Sequence, residues 1–286
     1  MAKETKNEIK QQTASEIAKD IFNIFDEHIK KTTVYGDGNI MCVKSTVNDI
    51  SNVVNAISTL FKNKYNVTPR KSLNDYTWQE IKEAADEGYA DSVFVIGDTK
   101  TITLYTGEKA EVVIVGFNHD TISGSNDKAG ITFAFKNLID GRFEMNETDT
   151  TDGGWAKSKM RNAYMQRLFN LLPSDLQDVI TDVDKITGVG GGSKNKTEIT
   201  QDKLFLFSKR EVFGNSNNTA NFEGKQYPYF ENEENRIAYR AGDTDWWWLR
   251  SPYLADSHGF CYVDYGGHAN DGWATDSLGV RPAFCL

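Results

Sequence analysis

Cysteine is scarce in this chain: Cys42, Cys261 and Cys285 are the three among 286 residues. Thiols so few and so scattered build neither a disulfide framework nor a zinc site, and they fit a reducing place of assembly. An excess of positive charge is also missing. With 32 basic against 41 acidic side chains and a formal charge of -9, the chain is a poor partner for phosphate backbones, whose binding depends on Lys and Arg displacing counterions. No nucleic-acid partner is expected. Residues 1–10 are charged and polar where a secretory signal needs an apolar core, and no stretch approaches the ~18 apolar residues that span a bilayer. Membrane insertion is not expected either. A hydrophobic fraction of 39% is that of an ordinary globular chain of one or two domains.

Tryptophan and proline are absent from residues 1–66, whose two glycines are Gly36 and Gly38. Two long helix-compatible stretches flank that pair. In the second, Val43, Val47, Ile50, Val54, Ile57 and Phe61 alternate four and three apart and keep one seam facing a partner. The first carries a shorter seam, Ile17, Ile21, Ile24 or Phe25, and Ile29. The two pack either as a hairpin around the turn at Gly36 to Asn39 or against other copies of the chain. β-Branched residues in both seam positions favour three or four strands over two, which points to a homo-oligomer, a trimer in particular. Pro69 with Arg70-Lys71 interrupts the pattern. The division expected is therefore a helical oligomerisation or attachment module over 1–67 and a separate ligand-binding body over 68–286.

Within the body, Thr77-Trp78-Gln79-Glu80 has capping-box spacing and Gly88 is placed to end the helix that follows. The runs Val93–Ile96, Thr101–Leu104 and Glu111–Val115, separated by Gly97-Asp98 and Gly107, read as an antiparallel meander. A helix is expected over Ser158–Leu172, with another starting at Pro173. Gly188 to Lys196 is glycine-rich, but Ser193 stands where a phosphate loop needs its second glycine and no hydrophobic strand feeds it, so the segment reads as a flexible loop. A second polar loop covers Asn215 to Asn221, and Lys203–Phe207 reads as a strand. The fold class expected is α+β.

The last forty residues concentrate aromatic, Asp, Asn, His and Gly residues. Rigid aromatic area interleaved with short adaptable hydrogen-bonding groups is the mixture that recognition surfaces use. From Arg250 onward there is no Lys, Glu, Gln or Met, although these four types supply 52 of the 286 residues. Trp246, Trp247 and Trp248 read as core aromatics, because three consecutive indoles must address both faces of any strand. Leu254, Phe260, Cys261 and Val263 are the other core formers of this region, which leaves Tyr262, Tyr265 and Trp273 at or near the surface.

Trp247-Trp248-Leu249-Arg250-Ser251-Pro252 followed by Gly279-Val280-Arg281-Pro282-Ala283 resembles an uncharacterised family of Gram-positive bacteria and their phages. Gly116–Asp120, Gly153-Gly154-Trp155 and Ser158-x-Met160-Arg161 look like its upstream markers. That family looks like a branch of the C-type-lectin-like fold, which includes the variable proteins of diversity-generating retroelements, phage tail receptor-binders among them. The resemblance implies a C-type-lectin-like (formylglycine-generating-enzyme-like) body whose closing strands display a diversifiable surface. Adenine-directed mutation of Asn-type codons reaches many residue types but not Lys, Glu, Gln, Met or Trp, in keeping with the four types that are missing. On this reading Trp247, Leu249, Val263, Val280, Pro282 and Phe284 hold the scaffold, and Arg250 and Arg281 pair with carboxylates or carbonyls. The ligand-binding set is Tyr253, Asp256, Ser257, His258, Tyr262, Asp264, Tyr265, His268, Asn270, Asp271 and Asp276, with Trp273 as a fixed member.

The partner implied is a bacterial surface protein or glycan, and the place implied is the virion, at a phage tail, after assembly in the host cytoplasm, with the cytoplasm itself as the alternative. The same fold class includes formylglycine-generating oxidases, which work through paired cysteines. Cys261 and Cys285 lie in apolar β-rich contexts that suit inert thiols, so an enzyme is not expected. His258 and His268 match no metal-ligand spacing. Asn270-Asp271 and Asp120 to Asp127 have the oxygen chemistry of a calcium loop, but such runs are more commonly solvated turns, and no metal or cofactor is expected. A third reading is a structural virion component that docks another phage protein.

Overall fold

The computed structural model of the protein describes residues 71–286, apart from 193–195, 216 and 221, together with Lys19 and Asn23. The helical module expected over 1–67, its seam and its trimeric assembly lie outside the described residues, as do parts of the two polar loops at 188–196 and 215–221. The chain divides into units 1–71 and 72–286. The second is mixed α+β.

The capping box forms. Glu80 N donates to Thr77 Oγ1, Thr77 N donates to Glu80 Oε2, and helix α1 (Trp78–Asp86) turns Trp78, Ile81, Ala84 and Ala85 inward. Val93–Ile96, by contrast, is not a strand. Ala90–Val93 closes a single helical turn, α2, and the Asp98 carboxylate then takes Val95 N, so the chain turns where a strand would need a neighbour. Strands β1 (Thr99–Thr103) and β2 (Lys109–Phe117) are the antiparallel arms expected. After the short β3 (Thr121–Ile122), β4 (Ile131–Phe135) pairs with β2 on one side. On its other side it pairs with the C-terminal β12 (Ala283–Cys285), which gives a four-stranded sheet ordered β1-β2-β4-β12.

The helix expected over 158–172 is shorter, a π turn at Met160–Met165 that runs directly into α4 (Gln166–Phe169); the short α3 (Gly154–Lys157) precedes it and α5 (Ser174–Gln177) follows. Ser158 Oγ accepts from Arg161 N. The wider turn brings residues five apart onto one side, so that Met160 and Met165 are both buried. Strands β5 (Val183–Gly188) and β6 (Thr197–Asp202) complete a sheet ordered β3-β5-β6. The glycines around them have a packing reason. A Cβ on Gly154 would sit 1.9 Å from Gly188 O and one on Gly190 1.7 Å from Thr151 O, so two backbones touch where no side chain fits.

A second capping box, Ser208 with Glu211, opens α6 (Lys209–Phe213). The hairpin β7 (Ala238–Arg240) and β8 (Asp243–Asp245) leads into β9 (Trp247–Pro252), β10 (Gly259–Val263) and β11 (Ala269–Trp273), a sheet ordered β11-β10-β9. Leu204 to Phe207, expected as part of a strand, makes one isolated bridge, Phe205 to Ala283. Phe207 O accepts from Arg250 N instead. The segment thus divides its hydrogen bonds between the sheets of β12 and β9 rather than lying in either ladder.

Candidate functional site

The two C-terminal motifs meet in space. Trp248 N donates to Gly279 O, and Gly279 N donates to Trp246 O. A Cβ at Gly279 would stand 2.6 Å from Trp246 O and 2.3 Å from Leu138 Cδ1, so only glycine lets these segments lie together. Trp247, Leu249, Val263, Val280, Pro282 and Phe284 are buried, as the scaffold reading requires. The indoles of Trp247 and Trp248 donate to Arg236 O and Phe143 O. Arg281 donates to Phe135 O and Asn235 O and packs against the Trp247 ring. Burial without a carboxylate partner lowers its pKa to about 10.

Arg250 is the centre of a buried charge network. Both its terminal nitrogens bind the Glu211 carboxylate, and they also reach Leu206 O and Ile186 O. Glu211 contacts Lys185 as well, and Lys185 contacts Asp120. Burial by itself would raise Asp120, but the Lys185 ammonium overrides it and holds the carboxyl well below its usual range. Burial also opposes the charge of Glu211, and Arg250 with Lys185 keeps it low. Glu223 differs. It accepts from Gly188 N and Ser251 Oγ, and burial lifts its pKa above the ordinary carboxylate value.

The exposed face begins one residue before β9. Trp246, expected in the core with its two neighbours, is instead 38% exposed. Its amide donates to Asp245 Oδ1. That carboxylate is in turn clamped by Arg142 through two nitrogens and by Arg240 through one. The Trp246 ring stacks on Tyr262 with centroids 5.3 Å apart and planes at 17°. It also lies 6.5 Å from Tyr265 at 19°. Tyr262 is a correction to the sequence reading: only 7% of it is exposed. Its ring lies over Gly272, where a Cβ would come within 3.2 Å of Cε1, so the missing side chain on β11 lets the tyrosine sink. Tyr265 and Trp273 are each 62% exposed, as expected.

The rest of the candidate set is exposed or half-buried, but the carboxylates have work within the fold. Asp256 Oδ1 accepts from His258 N and Gly259 N. Asp264 Oδ1 accepts from Gly266 N and His268 N, and Asp276 Oδ2 accepts from Trp273 N. These are turn-forming side chains. Asn270 likewise accepts from the amide of Asp271.

The register of β10 and β11 sorts the set further. Tyr262 opposes Asn270, while Cys261 opposes Asp271 and Gly259 opposes Trp273, so Asn270 shares a face with Tyr262, and Asp271 and Trp273 take the other. Burial and then the nearby Asp256 raise the Asp271 carboxyl. Asp271 in turn raises the Tyr253 phenol, which is half-buried. Ser257 gives its carbonyl to Thr151 N, and His258 gives its carbonyl to Ala274 N. The His268 ring stays beside Asp264 at 3.3 Å.

Cys261 and Cys285 are free and buried, and burial pushes both thiols up. Among the described residues no group of three or more His, Cys, Asp or Glu is placed to hold a metal ion. A cleft of about 260 Å³ opens between the π turn and β6, lined in part by Arg161, Gln166, Phe169, Asp202 and Lys203. Its cations are already engaged, Arg161 with Asp202 and Lys203 over the Phe169 ring. No helix of the described residues is long and apolar enough to cross a membrane.

Sequence reasoning missed Trp246 and the Asp245, Arg142 and Arg240 clamp behind it. The available signal was Arg240 and Asp245 on the two arms of the Ala241-Gly242 turn, with Asp245 directly before the tryptophans.

No curated protein and no solved structure matches the chain. Residues 129–286 match the model of a family described as a domain of unknown function, DUF6273, a span that runs from just before β4 to the last residue. More than half of the chain is matched, and the protein belongs to the DUF6273 family.

Proposed function

We propose that the protein is a receptor-binding protein of a phage tail, whose C-terminal face grips a protein or glycan on a bacterial surface. The observation that carries this reading is the Trp246–Tyr265 pair, two exposed rings held nearly parallel. Trp246 N is held by Asp245 Oδ1, and the turn that carries Tyr265 is closed by Asp264 Oδ1, which accepts from Gly266 N and His268 N. Large rigid aromatic area costs little entropy on binding, and the short polar residues around it adapt to a partner. The finer fold in this proposal is C-type-lectin-like. Residues 1–67 join copies into a trimer, so that several weak sites act together on a repetitive surface.

Diversification fits the same face. The main-chain ladder of β10 and β11 sets the register, so outward side chains are replaceable without moving the platform. The burial and raised pKa values of Cys261 and Cys285 weigh against a thiol oxidase.

The test is a binding screen of the purified full chain against a glycan array and intact Gram-positive cells, with purified phage tail proteins as a parallel arm. Binding to cells or glycans is the expected result. A blank there with capture of a tail protein overturns the adhesin in favour of a structural virion component. For diversification, a near-copy of the segment encoding Arg250 to Leu286, differing mainly at adenines, is expected beside a reverse-transcriptase gene. Its absence leaves an invariant binder.

A further inference from the structure

Asp120, at the end of the turn after β2, Lys185 on β5 and Glu211 on α6 come together in the buried interior. Lys185 Nζ lies 2.6 Å from Asp120 Oδ1 and 2.7 Å from Glu211 Oε1. It also sits 4.0 Å from the centroid of the Phe205 ring and 3.1 Å from the Tyr227 hydroxyl. The second oxygen of Asp120, Oδ2, accepts from Thr132 Oγ1 at 2.7 Å, and the Tyr227 hydroxyl bridges both carboxylate oxygens, 2.8 Å from Oδ2 and 2.9 Å from Oδ1.

As a salt bridge this arrangement is expensive. An ammonium and two carboxylates are taken out of water beside aromatic rings, and buried ion pairs of this kind commonly stabilise no better than apolar side chains of the same volume. As a reaction site each part has a use. An amine nitrogen is held against a carboxyl group, where proximity replaces a collision. Two hydroxyls point at the oxygen on which negative charge would develop. A second carboxylate touches the same nitrogen and is placed to relay a proton. Arg250 fixes that carboxylate with two nitrogens, so the relay oxygen stays on Lys185.

We propose that Lys185 and Asp120 condense into an intramolecular amide between Nζ and Cγ, with Glu211 as the proton relay. The ion pair is the resting form, since Lys185 keeps Asp120 ionised; the reactive form is the minor one in which a proton has passed from the Lys185 ammonium to Asp120 Oδ1, leaving a neutral amine beside a neutral carboxylic acid. The nitrogen lone pair attacks Cγ, and the carbonyl electron pair moves onto Oδ2, held by Thr132 and Tyr227. Glu211 Oε1 takes a proton from the nitrogen and delivers it to Oδ1. The Cγ–Oδ1 bond breaks, the carbonyl re-forms at Oδ2, and one water leaves. One hydrogen stays on the amide nitrogen, and nothing is oxidised or reduced. The product removes two charges from the interior and leaves Glu211 with Arg250. The link spans 65 residues of sequence and ties β5 to the end of the β2 turn.

The experiment is intact-mass spectrometry of the purified full chain, followed by tandem spectra of its digest. The expected result is a mass about 18 Da below that of the sequence, one water lost, together with a branched peptide that joins Asp120 to Lys185. Lys185→Arg and Glu211→Gln chains are expected at full sequence mass. If those variants fail to fold, the wild-type mass and digest still decide. A wild-type chain at full sequence mass overturns the proposal. So does a deficit that maps to a linear peptide, as a cyclised Asp120 imide would give.

Discussion

Trp246 rests on Tyr262, the two rings 5.3 Å apart and 17° from parallel, so a buried tyrosine supports an exposed indole. The pair divides the aromatic face into a part that holds the fold and a part that faces solvent.

That division predicts unequal losses of stability for two tyrosines three residues apart. Tyr262→Ala removes a ring that is 7% exposed and is expected to cost about 3 kcal/mol. Tyr265→Ala removes one that is 62% exposed and is expected to change stability by about 0.5 kcal/mol or less. Urea denaturation of both variants checks the difference.

Asp245 acts on the face without belonging to it. Its carboxylate holds the Trp246 amide and is clamped by Arg142 and Arg240. Asp245→Ala leaves two guanidinium groups without that partner and is expected to cost on the order of 2 kcal/mol. It is also expected to weaken ligand binding, while Arg142→Lys, which keeps the charge, has a smaller effect on both. Denaturation and binding isotherms on the same preparations separate the two consequences.

Glu223 predicts a pH dependence of defined sign. Burial raises its folded-state pKa above the unfolded value. Between those two values the folded chain holds the extra proton, and this group's contribution makes stability fall as pH rises through the window. Glu223→Gln removes the titration. Its stability relative to wild type is therefore expected to be higher at pH 8 than at pH 5, measured by urea denaturation at both.

Gly154 predicts intolerance of the smallest side chain. Its φ is +52° and a Cβ would stand 1.9 Å from Gly188 O, so Gly154→Ala combines backbone strain with overpacking and is expected to cost on the order of 3 kcal/mol. Thermal unfolding checks it, with Gly192→Ala as a control. Gly192 shares the positive φ but has nothing within 4 Å of its Cβ position.

Signals confined to a few neighbouring residues were legible in the sequence, and those that depend on distant partners were not. Thr77 and Glu80 cap one another, so the start of α1 follows from four residues. Arg250 and Arg281 were readable as structural cations, since both carry out roles at carbonyls or carboxylates within the fold. Leu204 to Phe207 looked like a strand because all four side chains are buried, but their hydrogen bonds go to two different sheets. Tyr262 reads as exposed in the sequence because Leu254, Phe260, Cys261 and Val263 are the residues that read as core formers there. Strand β10 is buried throughout, and the room for Tyr262 comes from Gly272 across the ladder. The acidic residues of the C-terminal face read in the sequence as adaptable hydrogen-bonding groups for a ligand, whereas Asp256, Asp264 and Asp276 spend those bonds on their own turns.

The most direct measurement is a binding isotherm of the labelled full chain on intact Gram-positive cells identified as positive in the screen. Wild type is compared with a Trp246→Ala/Tyr265→Ala chain whose unfolding midpoint shows that it is folded. A loss of at least about tenfold in affinity, the scale expected when two aromatic anchors are removed from an interface, is the predicted result. Unchanged affinity in the folded double variant would contradict the account.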